Sequence, residues 1–81
     1  MDKKRVLIVD DEPDIVESVK FSLELENIEC LEAYDGEEAL LKAKKEKPDL
    51  IILDIMLPKL NGYKIARLLK FDREYKDIPI I

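Results

Sequence analysis

The sequence contains no histidine, a single cysteine and only two glycines among 81 residues. Without histidine the chain supplies no imidazole base, no histidine metal ligand and no phosphohistidine of its own. Any histidine in its chemistry belongs to a partner. With Cys30 alone, no internal disulfide can form, which suits a reducing cytoplasm. No apolar run approaches the length of a membrane span. After Lys3, Lys4 and Arg5 the first apolar run is four residues, too short for the core of a signal peptide. No G-x-G-x-x-G follows it, which argues against dinucleotide binding. The net charge of -5 argues against a general nucleic-acid surface.

What is present is the balance of one small folded domain: 41% charged and 47% apolar residues. The pattern alternates strand and helix throughout, which predicts an α/β domain with a parallel sheet. Strands are expected near 4-10, 28-33, 50-54 and 78-81, and helices near 13-26, 36-47 and 62-73. Pro13 suits the first turn of the first helix, Asp35-Gly36 the turn into the second, and Lys47-Pro48-Asp49 the end of that helix. The second strand carries Glu29 and Glu32, whereas the first and third carry no internal charge. It therefore belongs at a sheet edge. Right-handed crossovers then give the strand order 2-1-3-4.

Two apolar runs end in aspartate: Val6-Leu7-Ile8-Val9 leads into Asp10-Asp11, and Leu50-Ile51-Ile52-Leu53 into Asp54. In an open parallel sheet ligands bind beyond the carboxyl ends of the strands, where the winding reverses. The order 2-1-3-4 puts that reversal between strands 1 and 3, so three carboxylates share one crevice. Two unit charges about 5 Å apart repel by roughly 3 kcal/mol at an effective dielectric near 20. Such a cluster calls for a cation or protons, and hard oxygen donors without His or Cys suit Mg²⁺. A carboxylate beside such a metal can attack a phosphoryl group. Asp10 and Asp11, just before Pro13, also suit the capping of a helix N-terminus, and one acid can cap while the other binds metal.

The first helix carries a further signal. Ile15, Val16, Val19, Ser22 and Leu23 form a stripe toward the sheet, with Phe21 and Leu25 on one flank beside Ser18. Apolar and small residues together span roughly 220°, about twice what one packing face needs. The helix expects a second cover.

Three stretches resemble the receiver domain of two-component response regulators: Val9-Asp10-Asp11-Glu12, Leu53-Asp54-Ile55-Met56-Leu57-Pro58, and the turn Leu60-Asn61-Gly62. Each falls at a strand end or in the loop after it. The resemblance implies a flavodoxin-like fold in which Asp54 is the phosphoacceptor, Asp11 the most direct Mg²⁺ ligand and Asp10 a ligand largely through water. It implies that the Met56 carbonyl completes the protein's share of the metal shell. The phosphoryl group would come from a phosphohistidine on a sensor histidine kinase. Such a domain is not a classical enzyme, although it promotes its own phosphoryl transfer and dephosphorylation. Asn61 stands where many family members have Asp.

Receivers also carry a Ser or Thr ending strand 4 and a Lys ending strand 5. This sequence stops at Ile78-Pro79-Ile80-Ile81, so residues 1–81 are expected to be a partial receiver, truncated before helix 4, strand 5 and helix 5. In the family helix 5 packs beside helix 1, which would account for Phe21 and Leu25. A chain cut there is expected to self-associate through the open strand or the bare helix flank. Two rival readings are an aspartyl-nucleophile, metal-dependent phosphatase and a receiver-like docking module that is never phosphorylated. The phosphatase needs acids at alternate positions and a cap domain, and here the acids are adjacent. The remaining basic residues, including Arg67 and Lys70, read as solvated helix faces rather than a nucleic-acid patch.

Overall fold

The computed structural model describes residues 3–53, 67, 70 and 79–81. Val6, Leu7, Ile8 and Val9 are all buried, at 4% exposure or less, so this run must be covered on both faces and paired on both edges. It forms the central strand β1 (Arg5–Val9) of a parallel sheet, with β2 (Glu29–Ala33) on one side and β3 (Leu50–Leu53) on the other. Helix α1 (Pro13–Leu25) joins β1 to β2, and α2 (Gly36–Glu46) joins β2 to β3. Beyond β3, residues 79–81 run parallel to it. Ile51 N–H donates to the Pro79 carbonyl at 2.9 Å, and Leu53 N–H to that of Ile81 at 3.0 Å. The order 2-1-3-4 read from the sequence is therefore realised. Within the expected third helix, Arg67 and Lys70 are helical and exposed; the rest of 62-73, and residue 78, lie outside the described residues.

The alternation of side chains along β1 splits the core in two. Leu7 and Val9 face α2 and pack with Ala33, Ala39, Ala43, Ile51 and Leu53. Val6 and Ile8 face α1 and pack around Val16. The small residues Ala39 and Ala43, one helical turn apart, let α2 approach the sheet closely.

Both helices stop where their sequences say they should. At the end of α1, Asn27 takes a left-handed conformation (φ 63°). Its N–H donates to Glu24 at 3.0 Å while Ile28 N–H reaches back to Leu23 at 3.2 Å. This is the paired closure by which a helix satisfies its last carbonyls, and Asn tolerates the positive φ better than most residues. At the start of α2, the Asp35 carboxylate accepts the Glu38 N–H at 2.9 Å, and Glu38 returns a carboxylate oxygen to the Tyr34 N–H at 2.7 Å. Two of the N–H groups at this helix start are thereby satisfied.

One expectation for α1 is corrected. Val16, Val19 and Leu23 face the sheet, but Ile15 is 42% exposed and Ser22 is exposed. The helix sits toward β2, where its Lys20 meets Glu32. Ile15 and Ser22 lie on the opposite flank of the helix from Lys20 and are turned away from the sheet. Phe21 and Leu25 are 66% and 71% exposed, as the wide apolar arc implied. On the same side of the sheet Leu50 and Ile52 are only half-buried.

At the amino end of the sheet Arg5 ties four segments together. Its guanidinium donates to both the carbonyl and the carboxylate of Glu46 at 2.6 Å and lies 3.4 Å from Glu29; its own N–H donates to Asp49 at 2.8 Å. The carbonyl of Glu46 ends α2, so the cation also complements that helix terminus.

On β2, Glu32 accepts from the Tyr34 hydroxyl at 2.7 Å and from Lys20 at 3.0 Å. These two bonds, the tyrosine's first, hold the carboxyl below its usual range. A carboxyl depressed in the folded state stabilises the fold above the unfolded value, about 4.3, and loses that contribution as pH falls through the folded value. Glu32→Gln is expected to be less stable than the parent at neutral pH and to show a shallower loss of stability below pH about 4. Urea midpoints measured across that range check this.

Candidate functional site

The chain turns from β1 into α1 through three successive acids. Asp10 extends the ladder by one bond, its N–H donating to the Ala33 carbonyl at 3.1 Å. Its side chain then folds back, and Oδ1 accepts the Glu12 N–H at 2.9 Å. Glu12 is the residue that starts the helix: its carbonyl accepts the Ile15 and Val16 N–H groups at 3.1 and 3.2 Å, while its own side chain makes no capping bond. Pro13 follows at the first helical position, where a missing N–H costs nothing.

The sequence allowed either aspartate to cap α1, but neither does: the N-cap position is Glu12, and no described side chain bonds the first helical N–H groups. Asp10 closes the turn, and Asp11 is exposed. One oxygen of Asp10 is thus committed to the backbone, and no described group binds its second oxygen or the Asp11 carboxylate. The arrangement leaves hard, anionic oxygens at the N-terminal, positive end of α1.

The second half of the expected site adjoins β3. Val9 and Leu53 are register partners in the parallel pair, as are Ile8 and Ile52. The two strands therefore end level, at the same end of the sheet. Asp54 is the next residue after Leu53; Asp54 and Met56 lie outside the described residues. Among the described residues no three His, Cys, Asp or Glu side chains gather as a metal cluster. The oxygen donors that are described, two carboxylates with no thiolate or imidazole near, are the chemistry Mg²⁺ favours.

Comparison with known proteins agrees with this strand-end geometry. The family profile of the response regulator receiver domain matches residues 6–81. The chain belongs to that family. It is 51% identical over 67 residues to the alkaline phosphatase synthesis transcriptional regulatory protein PhoP of Bacillus subtilis, covering 83% of this chain and 28% of that one. It is 49% identical over 78 residues to the phosphate regulon transcriptional regulatory protein PhoB of Pseudomonas aeruginosa, covering 96% and 34%. This receiver thus spans about a third of such curated relatives. Among solved structures, the response regulator TrrA of Thermotoga maritima, in complex with Mg²⁺ and BeF, superposes with a TM-score of 0.87 at 43% identity, covering 95% of this chain and 65% of that one.

Membership in the receiver family sets the phosphatase rival aside. The parallel three-layer architecture is the flavodoxin-like one expected from the sequence. The relatives are transcriptional regulators rather than classical enzymes.

The turn bond of Asp10 in this receiver separates shape from charge. Asp10→Asn keeps an oxygen for the Glu12 N–H and is expected to unfold within a few tenths of a kcal/mol of the parent. Asp10→Ala loses the turn bond and is expected to cost about 1 kcal/mol, the usual net worth of such a hydrogen bond, while Asp11→Ala stays near neutral. Urea denaturation of the three variants checks the order.

Proposed function

We propose that this receiver takes a phosphoryl group onto Asp54 from the phosphohistidine of a sensor histidine kinase, with Mg²⁺ held by Asp10, Asp11, Asp54 and the Met56 carbonyl. The observation that carries the reading is the level ending of β1 and β3, with Val9 opposite Leu53. Chain connectivity keeps the Asp54 Cα one peptide, about 3.8 Å, from that of Leu53, and Asp10 stands in the same relation to Val9.

In the transfer, a carboxylate oxygen of Asp54 attacks phosphorus, the bond from phosphorus to the imidazole nitrogen breaks, and the nitrogen keeps the electron pair. Water reverses the modification by attacking phosphorus and releasing the carboxylate. A bound Mg²⁺ would neutralise charge on the transferring oxygens. Asp11, exposed and without a described partner, is free to bind the cation directly. Asp10, with one oxygen held by Glu12 N–H, has a single oxygen to offer and a fixed direction in which to offer it. The histidine comes from the partner, since this sequence has none. The site of action in this reading is the cytoplasm, whose reducing conditions suit the lone Cys30; separately, no helix among the described residues is long and apolar enough to cross a membrane.

Acetyl phosphate with Mg²⁺ tests the reading on the 81-residue chain and on a longer chain that continues past Ile81. The longer chain is expected to gain an acid-stable, hydroxylamine-labile phosphoryl adduct at Asp54. The adduct is absent in Asp54→Asn and strongly reduced without the metal. By family resemblance the shorter chain lacks a cationic donor, and its labelling is expected to be slower by on the order of 10²-fold. Asp11→Asn is expected to weaken Mn²⁺ binding by about tenfold or more. Labelling of Asp54→Asn, or equal Mn²⁺ titrations, would show that the site lies elsewhere. A longer chain that never labels would leave the docking-module reading in its place.

For the 81-residue chain we also propose weak self-association through the α1 flank. Phe21, Leu25 and Ile15 are exposed there, and Ile81, 76% exposed, is a separate apolar residue at the opposite edge of the sheet from β2. Sedimentation is expected to show a concentration-dependent dimer that Phe21→Lys abolishes.

A further inference from the structure

The outer edge of β2 carries a cluster of charged groups that the phosphoryl-transfer site does not use. Parallel pairing fixes which backbone groups of β2 face β1. Glu29 N–H donates to the Lys4 carbonyl at 2.9 Å, and the Ala33 carbonyl accepts the Asp10 N–H at 3.1 Å. Successive residues of a strand turn their N–H and C=O groups to alternate edges. Residues 29, 31 and 33 therefore bond to β1, and the N–H and C=O groups of Cys30 and Glu32 point away from the sheet. Among the described residues no strand pairs with that side. Such a row of unpaired groups is a template on which another chain can add a strand.

Charge on the edge residue is a weak deterrent here, because Glu32 already has its partners. Its carboxylate receives Lys20 from α1 and the Tyr34 hydroxyl. The Glu32 carbonyl is a different matter. The Lys42 ammonium, arriving from α2, donates to it. Each helix layer thus sends one lysine round the edge, and only Lys42 ends on a backbone group that an added strand would need. Its stem is half-buried, so the ammonium is delivered by a side chain already packed along the protein surface. A strand adding at this edge would have to displace a charge-assisted hydrogen bond and bury or expel an ammonium ion.

We propose that Lys42 guards the β2 edge, blocking the Glu32 carbonyl against addition of a strand from a second copy of this chain. The neighbouring Cys30 N–H is left open, so the protection rests on one side chain. This is separate from the α1 flank, which lies on the far side of α1 from Lys20 and buries side chains rather than backbone groups.

The test compares Lys42→Met, which keeps an apolar stem and has no donor, with Lys42→Arg, which keeps a cationic donor. Sedimentation velocity and light scattering are run across a wide concentration range, with far-UV circular dichroism to follow the fold. Losing a charge-assisted bond of this kind corresponds to about tenfold in an equilibrium constant, so in a Phe21→Lys background, which removes the α1-flank dimer, Lys42→Met is expected to associate at about tenfold lower concentration than Phe21→Lys alone. Lys42→Arg in that background is expected to match Phe21→Lys alone. Cys30→Pro added to Lys42→Met removes an outward N–H without touching the bonds to β1 and is expected to reverse the gain. Cys30 also packs under α1, with Sγ 3.8 Å from the Lys20 carbonyl, so the circular dichroism control covers this variant as well. Lys42→Gln, too short to reach the carbonyl, is the second variant should the methionine form fail to fold, and it is expected to behave in the same way. A folded Met or Gln variant that associates like Phe21→Lys alone overturns the proposal. So does a gain that Cys30→Pro leaves in place.

Discussion

The structure depends on one strand having no free side. β1 is covered by α1 on one face and α2 on the other, and is paired in parallel with β2 and β3 at its two edges. Each buried Val, Leu or Ile contributes on the order of 1.5–3 kcal/mol through removal from water, and Val6 to Val9 supply four of them in succession. No polar side chain could be accommodated in that run, because neither layer offers it a partner. The same constraint decides where polarity begins. As soon as the strand passes the edge of the helix layers, at Asp10, the chain can carry charge, and three acids follow at once.

The two ends of the sheet use charge in opposite ways. At the amino end Arg5 meets Glu46, Glu29 and Asp49 in one web, joining β1 to the end of α2 and to the neighbouring strands. At the carboxyl end neither Asp10 nor Asp11 has a cationic partner among the described residues. A small domain has little stability to spare, so unneutralised carboxylates at one end are more easily tolerated when the other end is tied down. The separation also matches the general rule that chemistry in open α/β sheets belongs at the carboxyl ends of the strands.

What the sequence made legible is what local pattern controls. The apolar runs marked β1 and β3, Glu29 and Glu32 marked the edge, and Pro13, Asp35 and Pro48 marked helix ends to within a residue or two. The flank of α1 was misjudged at Ile15 because periodicity gives the angle around a helix, not where the helix sits sideways over the sheet. The meeting of Lys20 with Glu32 settles that, and it is a tertiary contact. Arg5 and Glu46 are 41 residues apart, and no local signal pairs them. The reason the β2 edge stays unpaired was likewise only half visible: the glutamates announced an edge, while Lys42 on the Glu32 carbonyl needed the structure. For the site, adjacent acids before a proline suggested that one would cap the helix; Glu12 takes the N-cap position instead, and the turn bond from Glu12 N–H to Asp10 is what distinguishes the two aspartates.

That bond gives Asp10 a consequence beyond the turn. Its one carboxylate holds the N–H of Glu12, and the carbonyl of Glu12 begins the hydrogen-bond ladder of α1. A ligand drawing on the second oxygen of Asp10 therefore pulls on the first turn of α1, whereas Asp11, bound to nothing described, can follow a ligand without moving the helix. Two adjacent acids of the same type are thereby mechanically unequal. Under the proposed function, and among the described residues, occupancy at the carboxyl end of β1 reaches α1 through the Asp10 bond, and the helix it reaches is the one whose apolar flank stands exposed at Phe21 and Leu25.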